Sequence, residues 1–233
     1  MKNNLRKPGQ GRNDISKSEA TMPKERPIIF NTEMVGAILD GKKTQTRRVV
    51  KPQPEHGHNY VHGYILESTN RERKRGDVHF GDNPNFLEGN SCYRRCPYGQ
   101  PGDRLWVRET WQAVSPDERY RPLDECHIIY KASDEHPGFC ARTYEEHMGF
   151  SDTGRDICYP WRPSIHMPKK HARIWLEITG IRVERLKDIS PEDGITEGVE
   201  HWSIFPSLWD SINKKKHPWS SNPWVWVIEF KKA

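Results

Sequence analysis

Apolar side chains are scarce in this chain. Hydrophobic residues make up 33% of its 233 positions and charged residues 30%, which is poor for a compact domain of that length. That excludes a large uninterrupted core and predicts a modest one with polar excursions around it. No apolar run is long enough to cross a bilayer as a helix. The basic N-terminus is not followed by an apolar segment, so neither a membrane span nor a secretory signal is expected. Cysteine is sparse and odd in number, five in all, which speaks against a disulfide scaffold and for reduced thiols in a cytoplasm. Also missing are an internal repeat and the strand–helix alternation of a doubly wound sheet. Charge of one sign does not dominate either. A net +5 permits a polyanionic partner without requiring one, so the placement of the cations matters more than their sum.

What the chain does have is tryptophan. Nine are spread from Trp106 to Trp226, and each can bury a large area, so the packed part is expected to start late. Residues 1–26 are rich in Lys, Arg, Asn, Gly and Ser, offer almost nothing to bury, and read as a disordered basic tail. Order is expected from RPIIF onward, in one domain over 27–233 interrupted by polar insertions at about 52–97 and 112–170.

Within that domain the patterns are local and legible. Ile28 to Phe30 reads as a strand. NTEMVGAILDG reads as a helix, with Asn31 or Thr32 as cap and Gly41 as its stop. PGDRLWVRETW reads as a turn followed by a strand, and HIIYKA as a strand. WRPSIHMP has too many prolines for a helix. ARIWLEITGIRVERL alternates as a long strand with a break or bulge at Gly180. SPEDGITEG carries a Ser190 cap, Pro191 in the first position and Gly198 as stop. FPSLWDSIN reads as a further short helix and WVWVIEF as a closing strand. The sum is a mixed β fold with short helices, an α+β protein in which a small β-barrel carries helices at its openings.

One stretch raises a chemical question. GKKTQTRRVVK, residues 41–51, holds Lys42, Lys43, Arg47, Arg48 and Lys51 with no acid among them. It could be a solvated run, a strip gripping phosphate, or the rim of a catalytic site. Arg47 and Arg48 suit bidentate phosphate contact. In a plain strand Lys42, Thr44 and Thr46 would share a face and Lys43 would point away, so a Lys43–Thr46 pairing requires a turn between them. Arg108, Trp111 and Arg162 are further candidates for holding a base or phosphate. Arg162, Ser164 and His166 recur at period two and could face one cavity, although a histidine held by a structural hydrogen bond is the alternative for His166. Cys92 and Cys96 have a C-x3-C spacing with His56, His58 and His62 upstream. The second close pair that a zinc site normally shows is missing, because Cys126, Cys140 and Cys158 stand alone. No metal and no cofactor is therefore expected.

Five blocks in order resemble the ASCH domain family, the ASC-1 homology group with a PUA-like barrel. They are LDGKKTQTRR at 39–48, PGDRLWVRE at 101–109, LEITGIRVERL at 176–186, SPEDGITEG at 190–198 and WVIEF at 226–230. With KTQTRRVVKPQP and CPYGQPGDRLWVRETW, the chain looks most like ASCH proteins carried by phages and prophages, which implies a bacterial host cytoplasm. The resemblance implies a PUA-like small β-barrel with two long insertions, and work on RNA, a nucleoside or a modified nucleic acid. The family's enzymatic members that remove the acetyl group from N4-acetylcytidine use a lysine, a threonine and a glutamate. By position these are Lys43, Thr46 and Glu197, with Lys42, Arg47, Arg48, Arg108, Trp111, Arg162 and His166 as substrate-binding candidates. Three readings follow: an amidohydrolase with Thr46 as nucleophile, Lys43 as base and Glu197 as orienting acid or proton relay; a non-catalytic RNA or modified-base reader; and a ribonuclease using Lys43, Arg47 and His166.

The general chemistry of the first reading is consistent. A threonine hydroxyl needs a base, and a lysine serves only when neutral, against an ordinary value near ~10.4. Neighbouring cations favour its proton loss, and a paired glutamate opposes it.

Overall fold

A computed structural model describes residues 22–55, 57–65, 76–85, 87–115, 122–133 and 159–233. Its main sheet has five strands: β1 (Glu25–Ile29), β2 (Gln45–Val49), β6 (Arg104–Arg108), β9 (Trp175–Arg185) and β10 (Trp224–Lys232), in the order β1-β6-β9-β10-β2. The β1–β6 pair is parallel and the others antiparallel. Among the described residues three α-helices accompany it: α1 (Thr32–Leu39), α2 (Pro191–Thr196) and α3 (Phe205–Asn213).

The closing strand is apolar from Trp224 to Ile228 because that stretch is covered on both faces. Trp224, Trp226, Ile228 and Phe230 enter one core with Ile28, Phe30, Val35, Ile38, Leu105, Val107, Leu176 and Ile178. Val225 and Val227 point the other way, into a second core with Leu186, Ile189, Phe205 and Trp209. The packed part does not start late, since β1 and α1 supply three of those first-core residues and Phe30 between them a fourth. Strand β2 inherits the two-sidedness through its register with β10. Arg48 and Thr46 lie opposite Trp226 and Ile228, while Arg47 lies opposite Val227.

The expected local features are present at several points. Asn31 caps α1, its side chain accepting from Met34 N at 2.9 Å. Ser190 caps α2 and accepts from Asp193 N at 3.1 Å. The β9–β10 register slips beside Gly180, between Glu229 and Phe230. The fold is mixed α+β, rich in sheet with few short helices. Strands β1 and β2 are the edges of the main sheet, so the ladder does not close into a barrel among the described residues.

The polar insertion expected at 52–97 carries a sheet of its own, with β3 (Tyr60–Tyr64), β4 (Asp77–Gly81) and β5 (Ser91–Arg95) antiparallel among the described residues. Its Val78 and Phe80 join the first core. Within 112–170 the strand expected at HIIYKA is present as β8 (His127–Tyr130), and its partner β7 (Trp111–Val114) begins where the strand expected over PGDRLWVRETW ends. The basic tail expected over 1–26 lies outside the described residues up to position 21, and Glu25 and Arg26 already belong to β1. Among the described residues no helix is long and apolar enough to cross a membrane.

Candidate functional site

The chain does not run straight from α1 into β2. Gly41 adopts φ +74°, and the amides of Lys42 and Lys43 both donate to Ala37 O, at 2.9 and 3.0 Å. Thr44 N then donates to Thr196 O at 3.0 Å, tying this turn to the end of α2. The turn that a Lys43–Thr46 pairing requires is thus present. It sends Lys43 inward, only 3% exposed, while Thr46 on β2 is 4% exposed.

Glu197 caps the C-terminus of α2, and Gly198 follows at φ +90°. Lys43 Nζ donates to Glu197 O at 2.6 Å and to Glu197 Oε2 at 2.8 Å. A side chain at 198 would place its Cβ 3.0 Å from Ala37 Cβ and 3.1 Å from Lys43 Cβ. The Gly198→Ala variant therefore combines a left-handed backbone with a crowded seat, and is expected to lose about 1–3 kcal/mol of stability, read by urea unfolding. An unchanged midpoint would show that the α2–α1 contact is not tight.

The Glu197 carboxylate is shared. Its Oε1 accepts from Arg47 Nη1 at 3.2 Å. The rest of the Arg47 guanidinium is also engaged, with Nε and Nη2 on Glu184 Oε1 at 2.9 and 2.5 Å and Nη2 on Asp193 Oδ2 at 2.6 Å. Arg182 joins from β9, donating to Asp193 Oδ2 at 2.6 Å and to Glu184 and Glu229. Burial raises Asp193, but the bonds from Arg47 and Gln45 and the charges of Arg47 and Arg182 outweigh it and hold the carboxyl below its ordinary value. Burial is the largest influence on Lys43 and lowers it. Glu197 opposes that by charge and hydrogen bond, and Arg48 and Arg47 add to the lowering, so the net direction is down.

Lys43, Thr46 and Glu197 line one cavity of about 310 Å³. The Thr46 hydroxyl has no hydrogen-bond partner among the described residues, and no hydrogen bond joins it to Lys43. Arg48 also lines the cavity. Its Nη2 donates across the open edge of the sheet to Ile29 O at 2.6 Å, its guanidinium stands 5.1 Å over the Phe30 ring, and its buried Nε has no hydrogen-bond partner among the described residues. The opposite wall is apolar and comes from α3, with Phe205, Leu208, Trp209 and Ile212.

The other candidates fall elsewhere. Lys42 is exposed and pairs with Asp40 at 3.0 Å. Arg47 lines the cavity but is fully buried and spent on three carboxylates, so it has no guanidinium edge left for phosphate. Arg108 donates to Ile165 O and lies over Trp106. Trp111 is 1% exposed and belongs to a third small core, so it offers no face for a base, and Arg162 lies 5.3 Å over it. The proline-rich segment turns at Ser164–His166 as a 3-10 helix, which breaks the period of two. Ser164 reaches the cavity and the exposed His166 does not. Cys96 is buried in the first core with its thiol pushed up to about 11 by burial, and Cys92 packs beside it. No group of three or more metal-ligating side chains occurs among the described residues.

Sequence reasoning missed Asp193, Glu184, Arg182 and the α3 wall. These residues come from distant elements, and only the β2–β10–β9 ladder brings them together. Comparison with known proteins gives no further guide, since no family model, no curated protein and no solved structure matches the chain.

Proposed function

We propose that this cavity hydrolyses an acyl amide on a cytidine-type base. The observation that carries the reading is the convergence of Lys43, Thr46 and Glu197, separated by up to 154 positions, on one cavity. Thr46 Oγ1 attacks the amide carbonyl and passes its proton to neutral Lys43. A neutral lysine has two N–H bonds, matched by the carbonyl and carboxylate of Glu197, and keeps a lone pair for that proton. Arg48 Nε–H is a donor for the developing oxyanion. The intermediate collapses, the base's exocyclic nitrogen leaves with the proton from Lys43, and water cleaves the acyl-threonine ester. The balance is acylcytidine plus water giving cytidine and a carboxylic acid. The resemblance to ASCH domains supports the same assignment. In that reading the open five-stranded sheet, with Arg48 spanning its edges, corresponds to the PUA-like barrel.

A second reading, a non-catalytic base reader, draws support from the missing Lys43–Thr46 hydrogen bond and from Lys43 being held by Glu197. The ribonuclease reading loses its geometry, because His166 stands outside the cavity and Arg47 is enclosed. The deciding experiment incubates purified protein with N4-acetylcytidine and N4-acyl analogues and follows cytidine release. Turnover is expected. Binding without turnover across the series establishes the reader instead.

A further inference from the structure

The basic strip read from the sequence mostly turns inward. Lys43 and Arg47 are consumed by carboxylates, Lys42 by Asp40, and Arg48 bonds a backbone carbonyl. Of the five cations only Lys51 remains exposed without an ion pair among the described residues. A different set of unpaired cations lies at the C-terminal end of α3, one residue past cavity-lining Asn213. Lys214, Lys215 and Lys216 are exposed, and none has a carboxylate within ion-pair distance among the described residues. The preceding acid on that face, Asp210, is turned to Trp219 N at 2.7 Å.

The lysines sit on an ordered turn. Lys216 N and His217 N both donate to Asn213 O, at 3.0 and 2.9 Å, and Trp209 Nε1 holds His217 O at 2.8 Å. His217, in the same turn, is lowered first by burial and then by the charges of Lys51 and Lys216. Like charges gathered without acids repel one another, and a chain of phosphates relieves that repulsion.

We propose that the cavity takes its base from a single-stranded polynucleotide whose phosphates run over Lys214, Lys215 and Lys216. This rests on reading the cavity as a base site. A single strand is required because a base held in a duplex stack cannot enter a concave pocket without being flipped out. The cations at the end of the α3 wall place the backbone outside while the base lies within.

The test is fluorescence anisotropy with a labelled single-stranded RNA of about ten nucleotides, within the site sizes of single-strand binders. Salt is varied over about 50–200 mM. The triple variant Lys214→Ala, Lys215→Ala, Lys216→Ala is compared with wild type, and Lys215→Glu serves as a single-site check. Each phosphate contact adds about 0.7 to the salt slope, so the triple variant should flatten it by about 2 and weaken binding about tenfold or more at low salt. Binding or turnover of the free nucleoside should stay unchanged, since these side chains lie outside the cavity. An unchanged slope and affinity in the triple variant overturns the proposal. So does equal binding of poly-glutamate or of anionic lipid vesicles. Loss of RNA binding in the variants supports it even where no acylcytidine is hydrolysed, a result that would instead count against the catalytic reading.

Discussion

Thr46→Ala is expected to lower kcat/KM for the proposed acylcytidine hydrolysis by about 10³-fold or more, because removing a nucleophile leaves only binding and electrostatic assistance. The melting temperature stays close to wild type. The Thr46 hydroxyl makes no hydrogen bond among the described residues, so its deletion strands no buried partner and costs little. Loss of activity with a collapsed fold would contradict that account, as would retained turnover. The companion variant Lys43→Met removes the base while leaving Glu197 paired with Arg47 at 3.2 Å. It should lose about 10²–10⁴-fold in rate, the range of general-base effects. The pH profile distinguishes a base from a mere contact. Burial lowers Lys43 against the opposing pull of Glu197. The wild-type rate should therefore climb with pH through a value below the ordinary lysine ~10.4. In Lys43→Met that rising limb disappears from whatever activity remains. A flat wild-type profile would remove Lys43 from the base role.

Arg47→Ala is the most destabilising single change expected in the molecule. The guanidinium is fully buried and bonds Glu184, Asp193 and Glu197 together. Its removal leaves Glu197 with Lys43 alone, and Asp193 and Glu184 with Arg182 alone. Breaking a buried ion pair from one side costs about 3–5 kcal/mol. At about 2–4 °C per kcal/mol for a domain of this size, the melting temperature falls by roughly 6–20 °C. The pH dependence has a definite sign. Asp193 is held below its ordinary value in the fold, so its ionisation contributes stability above the unfolded carboxylate value, near ~3.9, and that contribution is lost as pH falls through the lower folded value. Arg47→Ala forfeits much of this contribution at every pH, so the gap between variant and wild type narrows in acid. A gap that stays constant from neutral pH down to acid would show that the carboxylates do not depend on Arg47.

Some of this was readable from residue order. The Asn31 and Ser190 caps, the glycine stops at 41 and 198, the bulge at Gly180 and the closing strand all rest on local chemistry. Each is settled by a few neighbours along the chain. The strands of 60–95 were not read from the sequence, since the apolar alternation of Val78 and Phe80 is one short run in a polar, histidine-bearing stretch and cross-strand pairing makes the rest a sheet. Arg47 was readable as a cation but not as a buried one, because its three carboxylates lie on β9 and at the two ends of α2. His166 and Trp111 show the reverse error. Spacing suggested an open face, whereas a 3-10 turn and a small core decided otherwise.

By itself the sequence determined the α+β character and the element ends, since capping and periodicity act over short range, while Lys43, Thr46 and Glu197 were singled out through the resemblance to ASCH domains. Only the tertiary structure decided that Lys43, Thr46 and Glu197 share a cavity, that Arg47 is enclosed, and that the free cations lie at the end of α3. Those outcomes depend on strand register and on which carboxylate meets which cation, interactions made between segments more than a hundred residues apart.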